Sequence, residues 1–183
     1  MTKTEIAATV DSLNDEAAQV EAVEIRFGEN ALVLHRHQHG VGDAVLLGQL
    51  QEPVGVELGH DNAMFMHLTL VPYIPTSGEI KTKPTQHSVK ELLKTGIQPD
   101  ILVCRTEHPI TMEIRRKLAQ FCNVDLQSVI ESRDASTIYD VPILMLREKL
   151  DTTVITKLRL RDTKEPDLVK WKDFLSKLKN PIH

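Results

Sequence analysis

Three parts of this 183-residue chain carry residue types at spacings that could do chemistry. At 34–43, LHRHQHGVGD, the residues His35, His37 and His39 alternate strictly. On a strand, side chains two apart share a face, so three imidazoles could converge on a zinc ion, although no acidic or cysteine ligand stands at fixed spacing to complete the set. At 81–86 the chain reads KTKPTQ, with Lys81, Lys83, Thr82, Thr85 and Gln86 leading into a helical pattern. Two ammonium groups with hydroxyls and an amide at a helix N-terminus suit a polyphosphate, because the free amides and the helix dipole both favour negative charge. The same residues also read as a solvated loop with an ordinary cap. The third part is scattered. Arg105 follows the apolar run DILVC and could stack on or hydrogen-bond to a base, or simply form a surface salt bridge. Asp134, in SRDASTIY, could accept from an exocyclic amine or cap a turn. Arg115, Arg116 and Lys117 read as the solvated face of a helix.

These residues need elements to hold them, and the hydrophobic pattern supplies them from about residue 60 onward. The run AMFMHLTLV (63–71) is almost continuously apolar, as expected of a parallel strand buried on both faces. QHSVKELLKTG places Val89, Leu92 and Leu93 on one helix face and stops at Gly96. PDILVCR (99–105) is a second buried strand. TMEIRRKLAQFC (111–122) is a helix with Ile114, Leu118 and Phe121 as its apolar stripe and Thr111 as N-cap. SVIES is a short strand, TIYDVPILMLREKLD a turn feeding a short helix, and DLVKWKDFLSKLKNP an amphipathic closing helix. Strand, helix, strand, helix, strand in order gives an α/β fold with a parallel sheet flanked by helices. Such sheets bind ligands beyond the carboxyl ends of their strands, which is where the lysine loop, Arg105 and Asp134 all fall. Before residue 60 the pattern is weaker: a polar helix at 3–23, short strands at AVEIRF and NALVLHRH, and a helical pattern broken by Gly48, Pro53 and Gly55.

Composition sets the class. With 41% hydrophobic and 26% charged residues, the chain can build one globular core. A formal charge of −4 argues against a broadly basic nucleic-acid surface. No apolar run approaches the roughly 20 residues that span a bilayer, and the N-terminus lacks a signal-peptide layout, so a cytoplasmic protein is expected. Cys104 and Cys122 lie in apolar contexts without a CxxC pair and read as reduced core residues.

The segments HLTLVPY, KTKPTQHSVKEL, GIQPDI and FCNV occur in that order and spacing, and with them the chain from about residue 56 to 183 closely resembles the second half of the amidoligase (synthetase) domain of CTP synthase. The resemblance implies a P-loop-NTPase-like domain of which this region supplies part of the sheet, with residues 1–55 a divergent segment before it. It implies that Lys81, Lys83, Thr85 and Gln86 bind the triphosphate of UTP, or of CTP as feedback inhibitor. Lys117 would be contributed by a neighbouring subunit to the same nucleotide, and Phe121 would lie near the pyrimidine. Arg105, Asp134 and Ala135 would surround the ATP adenine, Asp134 and Ala135 partly through backbone. The implied reaction is ATP-dependent phosphorylation of the UTP 4-oxygen followed by displacement by ammonia, with ATP and Mg²⁺ required and a tetramer as the assembly.

The departures from the family are as definite. No GxxxxGK phosphate loop stands anywhere in the 183 residues. Aligned through GVGD (40–43), Arg36 falls where the family has a Mg²⁺-binding glutamate, and AVL replaces the IES that helps hold the pyrimidine nucleotide. No segment of the 183 residues resembles the family's glutaminase domain, and neither cysteine resembles its nucleophile. Three readings follow: an amidoligase segment that binds UTP or CTP, and ATP, without being competent alone; a non-catalytic nucleotide-binding or assembly module that joins full-length CTP synthase; or a histidine-rich metal site on the N-terminal arm with the rest as scaffold. A sheet lacking its first strands is also expected to leave an apolar patch or open edge at 63–71.

Overall fold

The apolar run at 63–71 becomes the central strand of a five-stranded sheet. The computed structural model describes residues 22–27, 30–36, 62–160 and 164–180, the first two spans as backbone only. In chain order the strands are β1 (Ala22–Phe27), β2 (Asn30–Arg36), β3 (Ala63–Leu70), β4 (Tyr73–Ile74), β5 (Glu79–Ile80), β6 (Ile101–Thr106) and β7 (Val129–Arg133). The helices are α1 (Lys83–Lys94), α2 (Met112–Cys122), α3 (Val141–Arg147), α4 (Leu150–Lys157) and α5 (Val169–Lys179). The main sheet runs β1-β2-β3-β6-β7, with β1 antiparallel to β2 and every other pair parallel; β4 and β5 form a separate two-stranded hairpin.

Why β3 reads as a continuous apolar run is now physical. Alternate residues feed two cores on opposite faces of the sheet. Met64 and Met66 pack with Ile101, Val103 and Ile130 against Leu150, Val154 and Leu158 of the α4 region. On the other face Leu102, Cys104 and Val129 pack with Val89 of α1 and with Leu118, Ala119 and Cys122 of α2. An apolar patch or open edge along 63–71 is not found: β3 is paired on both sides, and Ala63 through Met66 are all buried. Only Leu70, at the strand's carboxyl end, is largely exposed.

Local chemistry sets the helix ends. Thr111 caps α2 by accepting from the Ile114 amide, and Gly96 takes φ 85° just after α1, where a side chain would be strained. Two expected stripe residues point out instead: Leu93 is 40% and Phe121 57% exposed, so the buried faces are narrower than the spacing suggested. A helix at α4 was not anticipated. The closing helix α5 buries Leu175, and its Trp171 indole donates to the Tyr139 carbonyl at 3.0 Å while Lys179 pairs with Asp140 at 2.6 Å. The proposed helix at 3–23, apart from the two residues that begin β1, and the segment 44–59 lie outside the described residues.

Both cysteines are free and buried, as the sequence suggested. Burial raises both thiols: the Cys122 thiol is pushed up to about 11 from 9.0, and the Cys104 thiol higher still, with neighbouring Cys122 adding to the effect. A raised thiol pKa in the folded state leaves stability intact below about pH 9 and removes it as pH climbs through the folded value. Chemical denaturation at stepped pH is therefore expected to show stability falling between pH 9 and 11, and a Cys122→Ala variant is expected to flatten part of that decline.

Candidate functional site

Because β3, β6 and β7 are parallel, their carboxyl ends fall on one edge, and the register places their last residues side by side. Leu70 pairs with Arg105, and Thr106 pairs with Arg133. The chains leaving the strands stay bonded: the Val71 amide donates to the Arg105 carbonyl at 2.8 Å and the Asp134 amide to the Thr106 carbonyl at 3.0 Å. Three loops thus begin next to one another. The first folds back as the β4–β5 hairpin, turns at Gly78 with φ 65°, and closes where the Lys81 amide donates to the Pro72 carbonyl at 2.8 Å. The Tyr73 ring lies against the His108 ring with centroids 3.9 Å apart, joining the first loop to the second.

The lysine loop now has defined partners. Lys81 pairs with Glu79, whose carboxyl the ammonium holds below its ordinary range. Lys83 opens α1 and is exposed, Pro84 follows it, and no side chain caps the first turn. The Gln86 amide donates to Thr82 Oγ1 at 3.1 Å, which holds the loop against the helix. Thr85 points inward: its side chain is fully buried and its hydroxyl donates to the Leu70 carbonyl at 2.9 Å. Lys81 and Lys83 are therefore the loop's accessible cations.

Arg105 and Asp134, far apart in sequence, meet as a 3.0 Å ion pair through Nε on the exposed edge, and Ala135 follows half-buried. Lys117 and Phe121 stand one turn apart on α2, both exposed, opposite the buried Leu118, Ala119 and Cys122. Among the described residues no hydrogen bond or ion pair links Lys117 to the lysine loop.

Arg115 does not belong to a solvated face. Its guanidinium is 18% exposed, donates to the Val129 carbonyl at 2.7 Å, and reaches Glu148 at 2.7 Å and Glu131 at 3.6 Å. Glu131 in turn accepts from the Ile110 amide at 2.8 Å, and Glu148 from the Glu131 amide at 2.9 Å. The arginine run looked uniform by spacing; only the β7 carboxylate beneath one member distinguishes it. Sequence reasoning also passed over His67, whose Nε2 lies 2.7 Å from Ser88 Oγ in a buried pair. The signal was available: a histidine inside an otherwise apolar strand needs a polar partner.

Among the described residues no three His, Cys, Asp or Glu side chains gather as a metal would require. His35 lies in β2, paired in register with His67 in β3, while His37, His39 and Asp43 fall outside the described residues. On the described part of the edge the carboxylates Glu79 and Asp134 are each engaged by a cation, so these two groups do not by themselves fit a Mg²⁺ site. Within the described residues no helix is long and apolar enough to cross a membrane.

Residues 10–160 match the family model described as CTP synthase N-terminus. A CTP synthase of Cytophaga hutchinsonii is 63% identical over 126 residues, covering 69% of this chain and 23% of that protein. A CTP synthase of Chlorobium phaeovibrioides is 45% identical over 174 residues, covering 94% of this chain and 29% of that protein, and one of Caldanaerobacter subterraneus is 50% identical over 145 residues, 78% and 27%. The chain thus spans between 23% and 29% of the length of these relatives. The parallel α/β sheet with its loops on one carboxyl edge agrees with that match, and the chain belongs to the CTP synthase N-terminal family.

Proposed function

We propose that this chain is a nucleotide-binding segment of a CTP synthase synthetase domain, taking the triphosphate of UTP or CTP at the lysine loop and the adenine of ATP at Arg105 and Asp134. The observation that carries the reading is the carboxyl edge of the sheet, where the loop after β3 that carries Lys81 and leads to Lys83, Arg105 at the end of β6 and Asp134 just after β7 all fall. Lys81 and Lys83 flank an uncapped helix N-terminus, a combination that complements a polyphosphate. A bound triphosphate competes with Glu79 for Lys81, so the loop's ion pair exchanges when the nucleotide arrives. Gln86 supports the loop from within. At the second site Arg105 offers a planar cation against a purine, and Asp134 with the backbone of Ala135 offers acceptors for its exocyclic amine.

Lys117 and Phe121 face away from the chain's own core, which suits a contribution to the pyrimidine site of a neighbouring copy and hence a homo-oligomer, a tetramer by family resemblance. The whole family protein carries out the ligase reaction of CTP biosynthesis in the cytoplasm, joining ammonia to UTP at the expense of ATP; this chain supplies nucleotide recognition to it. Thermal unfolding with each nucleotide tests the reading. UTP and CTP are each expected to raise the unfolding temperature, with about 3 kcal/mol of stabilisation at a concentration 100 times the dissociation constant. ATP is expected to stabilise the parent chain but not an Arg105→Ala variant, which keeps its response to UTP. An absence of any shift with both pyrimidine nucleotides contradicts the proposal.

A further inference from the structure

Two hydrogen bonds tie β3 to α1 just behind the lysine loop. His67 Nε2 lies 2.7 Å from Ser88 Oγ, and Thr85 Oγ1 donates to the Leu70 carbonyl at 2.9 Å. His67, Ser88 and Thr85 are all buried, so each bond replaces water that cannot reach the groups. The pairs run in opposite chain order, 67 with 88 and 70 with 85. Between them the strand advances roughly 10 Å over three residues, whereas the helix rises only about 4.5 Å. The two bonds are therefore inclined struts rather than parallel ones. Inclined struts resist both sliding of the helix along the strand and tilting of its first turn. Val89 and Leu92, on the same buried side of α1, supply apolar contact but no directional constraint.

We infer that His67, Ser88 and Thr85 form a buried clamp that positions the first turn of α1, and with it Lys83 and Gln86, for the triphosphate. Thr85 acts here through the Leu70 carbonyl rather than as a ligand: its hydroxyl is directed into the protein, away from the exposed loop cations. His67 and Ser88 are buried and bonded to each other, and act as positioning residues. The clamp rests on the nucleotide-binding role proposed for the loop, and it deepens that role by naming what holds the loop in register.

Equilibrium binding of UTP and ATP to the full chain, with amide hydrogen exchange across residues 86–90, tests the clamp. Ser88→Ala is expected to weaken UTP binding about tenfold and ATP binding less than twofold, and to speed exchange of the amides from Gln86 to Lys90 by at least tenfold. Ser88→Thr, which keeps the hydroxyl, is expected to restore most of both. Thr85→Val, nearly isosteric, gives the same reading should Ser88→Ala fail to fold. Equal loss of UTP and ATP affinity, or unchanged UTP affinity with unchanged exchange, overturns the clamp. Failure of the parent chain to bind UTP overturns the binding reading instead; the exchange rates then judge the clamp alone, and unaltered protection in Ser88→Ala rejects it.

Discussion

Replacing Arg115 by methionine is expected to lower the unfolding free energy by about 3 kcal/mol. The guanidinium touches three acceptors on two other elements: the Val129 carbonyl and Glu131 of β7, and Glu148 at the end of α3. Removing it leaves two carboxylates, 14% and 24% exposed, without the cation that offsets their desolvation. The geometry also makes lysine a poor substitute, because one ammonium cannot reach acceptors that a planar fork spans. Arg115→Lys is expected to recover less than half of the loss. Urea unfolding of the two variants measures this directly, and a loss below about 0.5 kcal/mol for Arg115→Met would return Arg115 to the status of an exposed charge.

The second large effect falls on binding. Lys81→Ala with Lys83→Ala is expected to weaken UTP on the order of 100-fold, since a charge-assisted contact contributes about 1.5–3 kcal/mol and each 1.4 kcal/mol is a factor of ten. Lys83 is exposed and Lys81 partly so, so the parent affinity should fall as salt rises and the double variant should lose most of that dependence. Stability should hardly change, because among the described residues the one ion pair either lysine makes is that of Lys81 with Glu79, on the exposed hairpin. An unaltered dissociation constant for UTP in the double variant would remove the loop from the site.

Much of this architecture was legible in the residues, for identifiable reasons. The strands β3 and β6 are uniformly apolar because both faces are covered, and Thr111 and Gly96 announce helix ends through cap chemistry that tertiary packing does not override. α4 was not legible. Thr152, Thr153, Val154, Ile155 and Thr156 are β-branched and favour extended backbone, yet burial of Leu150, Val154 and Leu158 against β3 and β6 imposes the helix. Its start depends on Lys149 at φ 60°, a conformation for which lysine gives no sign. The site divides in the same way. That the lysine loop, Arg105 and Asp134 fall at carboxyl ends follows from strand order, whereas the pairing of Arg105 with Asp134, the inward turn of Thr85 and the capture of Arg115 depend on atoms of neighbouring elements that spacing along one element cannot reveal.

Calorimetric titration of UTP into the chain, repeated with CTP already present, decides whether the lysine loop is a pyrimidine triphosphate site. Saturable binding of UTP that CTP displaces competitively is expected, since both triphosphates use Lys81 and Lys83. Absence of saturable heat with UTP, or binding of UTP that excess CTP leaves untouched, would contradict it.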